Sequence, residues 1–283
     1  MKSIKKYKIL LILSLFVIFS CDDIKNPLKE KSNTTCGDET SPVPIKKILV
    51  EDYTGHTCNN CPLAAEAILA LKADYCDHVI PVAMHVSLFA KPNSQYPADY
   101  RTTDGTAYDN YFKVSNTGLP NGLVNRKKVS SNFVLPWTSW ATAIAELLTQ
   151  SAEIDIKISN TYSSATRSVK IQINSEFLKA TSDSLSLSVY FLEDSIVSPQ
   201  ADKREPTGKI EKYTHRHMFR STVNSTWGEA ITTTGFAFGA IYSKEYTFQV
   251  DPAWNEKHGE IVAFIFKTNS KEVIQAESEH LIK

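Results

Sequence analysis

Two cysteines three residues apart, in the run Cys58-Asn59-Asn60-Cys61, are the side chains of this sequence best suited to chemistry. Such a pair supports thiol–disulfide exchange: one thiolate attacks a disulfide, and the second resolves the mixed disulfide that forms. Residues 45–53 upstream are apolar and β-rich, and residues 63–72 downstream favour a helix, with Pro62 suited to its first turn. Cys58 is therefore expected at a helix N-terminus, where free N–H groups and the helix dipole favour a thiolate. Cys61, one turn later on the same face, is the resolving thiol. His56, two residues before, would support the thiolate if protonated, and is otherwise a solvated loop histidine. Glu51 and Asp52 fall near the strand end; surface placement is the expectation for both, with proton transfer to Cys61 as the alternative. Asn59 and Asn60 tune the potential of the pair.

Other chemistry competes for the same residues. The pair could be a static disulfide pinning a loop, or half of a zinc site with Cys36, Cys76, His78 or His85 as further donors. No second C-x-x-C or H-x-x-x-H accompanies it. His215 and His217, two apart on an expected strand, share a face, with Glu211 as a remote third donor; that set is incomplete. No metal or other cofactor is expected. The chain has no G-x-S-x-G, Walker A or dinucleotide fingerprint.

The N-terminus indicates the compartment. Residues 1–20 read as a secretory signal, with Lys2, Lys5, Lys6 and Lys8 before an uncharged run at 9–19 that is short for a membrane span. The run ends in Ile18-Phe19-Ser20-Cys21, which resembles a bacterial lipobox and makes Cys21 the expected lipidation site. A plain secretory signal is the alternative. Of 31 basic residues four leave with the signal, against 31 acidic ones, so the mature chain carries a formal charge of −4. No basic stripe interleaved with aromatics points to nucleic acid, and the lipid is the expected membrane attachment. With Cys21 acylated, four cysteines remain in an oxidising space. The connectivity consistent with a Cys58–Cys61 pair joins Cys36 to Cys76, a closure worth about 4 kcal/mol in the entropic model; free or buried thiols are the alternative.

The elements that must position the pair follow. Residues 21–44 are polar and Pro-containing, a tether after the lipid anchor. Residues 45–150 mix strand and helix signals: a buried strand at 79–86, in which Pro81 is awkward, a loop or short helices at 88–107, and a helix at 137–150 with Trp137, Trp140, Ile144 and Leu147 on one face. From 151 to 283 the period becomes two, at Ile154-x-Ile156-x-Ile158, Val169-x-Ile171-x-Ile173, residues 185–191, 236–238, 246–250 and 261–266. The pattern predicts an antiparallel β-sandwich.

Gly118-Leu119-Pro120, followed by Leu123-Val124, resembles the cis-proline segment of the thioredoxin fold. That likeness implies that Pro120 packs beside the C-x-x-C and that the Leu119 backbone seats an extended substrate. Over nearly all of the mature length the chain also resembles the outer membrane protein 28-related lipoproteins of Bacteroidetes, through residues 50–62, Gly118-Leu119-Pro120, residues 213–220 and Trp227-Gly228-Glu229. The resemblance implies a thioredoxin-like domain followed by an antiparallel immunoglobulin-like β-sandwich, an α/β plus all-β chain in the cell envelope as an outer membrane lipoprotein. The functional expectation is a thiol–disulfide oxidoreductase acting on protein thiols and disulfides. The alternative is a non-enzymatic surface lipoprotein that binds protein or glycan and uses the fold as a scaffold.

Overall fold

The structure, a computed structural model, describes residues 44–129 and 131–282. The expected signal at 1–20, the lipidation site Cys21, Cys36 and nearly all of the tether lie outside the described residues. The chain runs through β1 (Ile48–Thr54), α1 (Cys61–Tyr75), β2 (Val79–His85), α2 (Thr103–Phe112), β3 (Asn121–Val124), β4 (Leu135–Pro136) and α3 (Trp140–Leu148). It continues through β5 (Ile154–Ser163), β6 (Ser168–Phe177), β7 (Leu185–Glu193), β8 (Ile196–Ala201), β9 (Lys209–His215), β10 (Met218–Thr222), β11 (Glu229–Thr232), β12 (Ile241–Gln249), β13 (Gly259–Lys267) and β14 (Val273–His280). Among the described residues the fold is mixed α/β, mostly β, in three sheets.

All seven residues of β1 are buried, so both of its faces are covered. Alternation sends Ile48, Val50, Asp52 and Thr54 to one face and Leu49, Glu51 and Tyr53 to the other. On the first face, Ile48 and Val50 pack with Ala64, Ile68 and Leu71 of α1 and with Trp140, Ile144 and Leu147 of α3. The α1 set recurs at helical spacing, which is why residues 61–75 hold a helix over this face. On the second face, Leu49 and Tyr53 join a core with Tyr108 and Phe112 of α2, Tyr190, Phe219, Phe264 and Phe266.

Strand β2 runs parallel to β1, from Ile48↔Val79 to Thr54↔His85, and β3 runs antiparallel on the other side, with Tyr53↔Asn121. Pro81 is tolerated here for a local reason. Strand β10 meets β2 at one register position, Met218↔Ala83, where Ala83 N–H donates to His217 O at 2.8 Å. Pro81, two residues earlier, points its absent donor to the same side, before β10 begins.

The change to a two-residue period near 150 marks the start of β5, and hydrogen bonding continues across it. The large sheet has the order β14-β13-β7-β10-β2-β1-β3-β4, with β11 on β7, so strands from 45–150 and from 151–283 share one sheet. Strands β7 and β13 feed two cores by alternation. Leu187, Val189, Phe191, Ile261, Ala263 and Ile265 face the three-stranded sheet β12-β6-β5, while Tyr190, Leu192, Val262, Phe264 and Phe266 face β1 and β2. The alternating strands pack sheet on sheet, and their larger sheet is a mixed one completed by β1–β4. Residues 236–238 are not a strand. Gly235 and Gly239, at φ of 86° and 75°, turn the chain on either side, leaving an isolated bridge between Phe236 and Thr181.

The second face of β1 holds a buried ion pair. Arg126 Nε and Nη2 donate to the two Glu51 carboxylate oxygens at 2.7 Å each, and Nη2 also reaches the Tyr190 hydroxyl at 2.8 Å. The guanidinium lies 5.1–5.2 Å from the ring centroids of Tyr108, Phe112 and Phe264. Both charges are out of water, so removing one strands the other. Arg126→Ala is expected to lower stability by about 3–5 kcal/mol in urea denaturation, and Glu51→Leu/Arg126→Met to recover most of that loss. A single variant within about 1 kcal/mol of wild type would contradict this role.

Candidate redox site

Cys58 and Cys61 form a disulfide with Cα atoms 5.4 Å apart. Helix α1 begins at Cys61 with Asn60 as its N-cap, so Cys58 precedes the helix in a tight turn in which its N–H donates to Gly55 O at 3.0 Å. The Leu119–Pro120 bond is cis. Pairing of Tyr53 with Asn121 sets Pro120 level with Thr54, and Thr54 pairs with His85 on the opposite side. Pro120 and His85 therefore flank the C-terminal end of β1, from which the chain passes into the C-x-x-C turn four residues later. Leu119 is half-buried and Pro120 buried.

Glu51 and Asp52 are both buried, against the expectation of surface placement. In a strand covered on two faces, neither side of the alternation leads to solvent. Asp52 is 3 % exposed, and its Oδ1 has no hydrogen-bond partner among the described residues. Burial pushes its carboxyl up to about 8. With Cys61, His85, Gln200, Tyr213 and His215 it lines a cavity of about 30 Å³. Burial, and then the Asp52 charge, push the Tyr213 phenol up to about 12. A second, largely apolar cleft of about 260 Å³, lined by Ala65, Ile68, Pro81 and Ala83, reaches Asp52 from the flank of α1.

Both cysteines are only 2 % exposed, because the β8–β9 hairpin lies over them. Ala201 N–H donates to His56 O at 2.8 Å and Lys203 N–H to Asn59 O at 3.2 Å. Gln200 Nε2 donates to Cys58 O at 3.1 Å and Gly55 O at 3.3 Å. Arg204 ties the hairpin to Glu66 of α1 at 2.6 and 2.9 Å. On the other side the 88–90 turn presses so close that a Cβ on Gly55 would stand 2.5 Å from Phe89 O. Leu88, Phe89, Asn59 and Asn60 remain exposed around the pair.

His56 is neither a solvated loop residue nor a cation for the thiolate. It is buried, stacks on Tyr96 with ring centroids 5.4 Å apart, and its Nε2 lies 3.1 Å from Lys91 O. Burial holds its pKa below the ordinary value, which keeps it neutral at pH 7. His215 and His217 do not share a face, because β9 ends at His215 and His217 has φ of 49°. His215 turns to His85 and to Ser198 Oγ at 2.9 Å, while His217 Nδ1 faces Glu260 at 3.3 Å. Glu211 pairs with Lys209 at 2.8 Å. Among the described residues no three His, Cys, Asp or Glu side chains are arranged to hold a metal ion. Cys76, at the C-cap of α1, is itself disulfide-bonded. The proposed partner Cys36 lies outside the described residues. The sequence offers Asp52 as an alternative proton acceptor for Cys61 and His85 as a possible metal donor, but does not bring the two together. The cover by residues 196–215 had no comparable signal.

Asp52 ionises near pH 8 in the folded chain and near 4 when unfolded. Between these values the folded state keeps a proton that the unfolded state has released, so stability falls as pH rises through the window and levels off above it. Asp52→Asn removes this slope. In urea denaturation of the oxidised protein, the variant is expected to exceed wild type at about pH 8 by on the order of a few kcal/mol, with the gap closing toward about pH 5. A pH-independent gap would contradict the assignment.

No helix among the described residues is long and apolar enough to cross a membrane. The comparison with curated proteins returns no match. HBP35 of Porphyromonas gingivalis has a similar structure, with a TM-score of 0.62 at 16 % identity over 84 % of this chain and 76 % of that one, a likeness of fold. A domain of the outer membrane lipoprotein Omp28 from Porphyromonas gingivalis aligns at 20 % identity over 46 % of this chain and 89 % of that one, with a TM-score of 0.32. The family described as outer membrane protein Omp28 matches residues 105–282, well over half of the chain, in a span that includes Pro120 and the β8–β9 hairpin and begins after Cys61. The chain therefore belongs to the outer membrane protein Omp28 family, a protein of the outer membrane in the cell envelope.

Proposed function

We propose that this protein is an extracytoplasmic thiol–disulfide oxidoreductase, held at the outer membrane by lipid on Cys21. In this reading β1–β4 and α1–α3 make a thioredoxin-like unit, and β5–β14 make an immunoglobulin-like sandwich that shares its sheet. The observation that carries the reading is the convergence at one strand end of a C-x-x-C disulfide, a cis-proline and a buried carboxyl. Exchange needs sulfur and a proton acceptor, and no cofactor.

The chemistry is a two-step exchange. In the dithiol form, Cys58 thiolate attacks one sulfur of a partner's disulfide, forming a mixed disulfide and expelling the partner's first thiolate. Asp52 carboxylate takes the proton of the Cys61 thiol. Cys61 thiolate then attacks Cys58 sulfur, closing the internal disulfide and expelling the second thiolate, and the partner's thiolates are protonated from water. Two electrons pass to the partner, and Asp52 is left neutral, its state in the oxidised chain. Leu119 and Pro120 would seat the partner chain, with Leu88 and Phe89 as apolar contacts beside it.

A scaffold reading is favoured by one observation, the 2 % exposure of both cysteines under the hairpin. There the disulfide pins the turn and the sandwich binds protein or glycan. The two readings separate on access. Gln200→Ala removes the donor that holds the hairpin to Cys58 O; losing about 1 kcal/mol of closure should speed alkylation of Cys58 in the reduced chain roughly fivefold. An unchanged rate would mean that the hairpin does not govern access. In the native host, Cys61→Ser is expected to accumulate mixed disulfides on Cys58 that dissolve on reduction. A Cys61→Ser trap that stays empty would support the scaffold.

A further inference from the structure

The cavity behind the disulfide has to accommodate charge whenever the pair is reduced. Reduction there creates a Cys58 thiolate and, once Asp52 has given its proton to Cys61, a carboxylate in a largely buried site. Two like charges in such a place are costly without a counter-charge. His85 is 5 % exposed, lines the cavity with Asp52 and Cys61, and has no hydrogen-bond partner for either ring nitrogen among the described residues. It shares a face with Ala83 on β2, as Asp52 shares one with Thr54 on β1, and the registers Asp52↔Ala83 and Thr54↔His85 bring these positions side by side beneath the start of α1. Its ring lies 5.4 Å from that of His215, whose Nε2 is 2.9 Å from the half-buried Ser198 hydroxyl.

We propose that His85 is a positioning residue of the redox pair: it takes up a proton when Cys58–Cys61 is reduced, its imidazolium offsets the Asp52 carboxylate across the cavity, and His215 with Ser198 connects it to solvent. The inference rests on the oxidoreductase reading. The balance with a dithiol reductant is explicit. The reductant's two sulfurs close into a disulfide and give two electrons to the Cys58–Cys61 bond. Cys61 receives its proton from Asp52, and Cys58 stays as thiolate. Of the two protons the reductant releases, one goes to His85 and the other to bulk water.

In the oxidised chain His85 stays neutral. Burial and the nearby His215, His56 and Arg220 hold its pKa well below the ordinary value. The groups that face it are Asp52 and Thr54 from β1, Tyr213, His215 and Arg216 from β9 and its end, Arg220 from β10, His56 from the C-x-x-C loop and Tyr100 from the loop before α2. Arg220 is already paired with Glu193 at 2.7 Å and Arg216 with Asp194 at 3.1 Å. The carboxylate and thiolate formed on reduction are therefore the new charges to which His85 responds.

The test is a histidine titration by ¹⁵N NMR on the full mature chain, oxidised and then reduced with dithiothreitol. The His85 proton affinity is expected to rise at least about 100-fold on reduction. Equal midpoints in the two states would overturn the proposal. In parallel, the equilibrium of wild type and His85→Gln with dithiothreitol is followed between about pH 6 and pH 8. The variant is expected to lose roughly tenfold of the wild-type change in the constant. An unchanged profile in a folded variant would overturn the proposal, and the wild-type titration decides the matter if the variant does not fold. A pair that dithiothreitol cannot reduce in the folded chain overturns the oxidoreductase reading and this inference together. A reducible pair with an unresponsive His85 overturns this inference alone.

Discussion

Strand β1 places two carboxyl groups next to each other, at Glu51 and Asp52, in a segment with no face to water. A buried carboxylate must be paired or must give up its charge. Alternation sends the two acids to opposite faces, and each face resolves the constraint differently. Glu51 stays charged against Arg126, in a core built from α2, β7 and β13. Asp52, with no cation on it, keeps its proton to about pH 8. The first solution fastens the strand into the fold. The second leaves a neutral carboxyl that lines the same small cavity as Cys61, near the strand end where the chain turns into the C-x-x-C.

The second half of the chain bears directly on that site. Tyr190 of β7 hydrogen-bonds Arg126, so the residues that settle Glu51 come from both sides of position 150. Strands β7 and β13 are buried on both faces because each separates two cores. Between β7 and β10, the β8–β9 hairpin reaches across to bond the backbone of His56 and Asn59. It also supplies Gln200, Tyr213 and His215 to the cavity. Strands β7, β10, β13 and β14 are thus continuous with the sheet whose β1 leads into the C-x-x-C turn, and the β8–β9 hairpin contributes walls to the site.

Much of this was legible from pattern. Residues 61–75 form a helix because the apolar set Ala64, Ile68 and Leu71 has one face to cover, and the alternating runs at Ile154, Val169, Leu185 and Ile261 became strands with those phases inward. Gly118-Leu119-Pro120 signalled the cis bond through a resemblance. Other features depended on contacts that no local pattern encodes. The hairpin residues 196–215 are half-exposed on both faces and interrupted by Pro199, so they carry little periodic signal. The burial of His56 depends on Tyr96, forty residues later. The separation of His215 from His217 depends on a positive φ at His217, which the alternation of a strand does not signal. Pro81 looked wrong for an interior strand because the sequence does not show that β10 begins only beside Ala83.

The central claim is that the Cys58–Cys61 bond exchanges electrons in the folded protein, beneath a cover that opens locally. The direct measurement is the rate at which dithiothreitol reduces this bond across a series of sub-denaturing urea concentrations. Local opening of β8–β9 exposes little surface, so the account predicts reduction at a rate nearly independent of urea and much faster than global unfolding. A rate that climbs with urea as steeply as unfolding itself, and never exceeds it, would contradict the account and leave the disulfide as a structural pin.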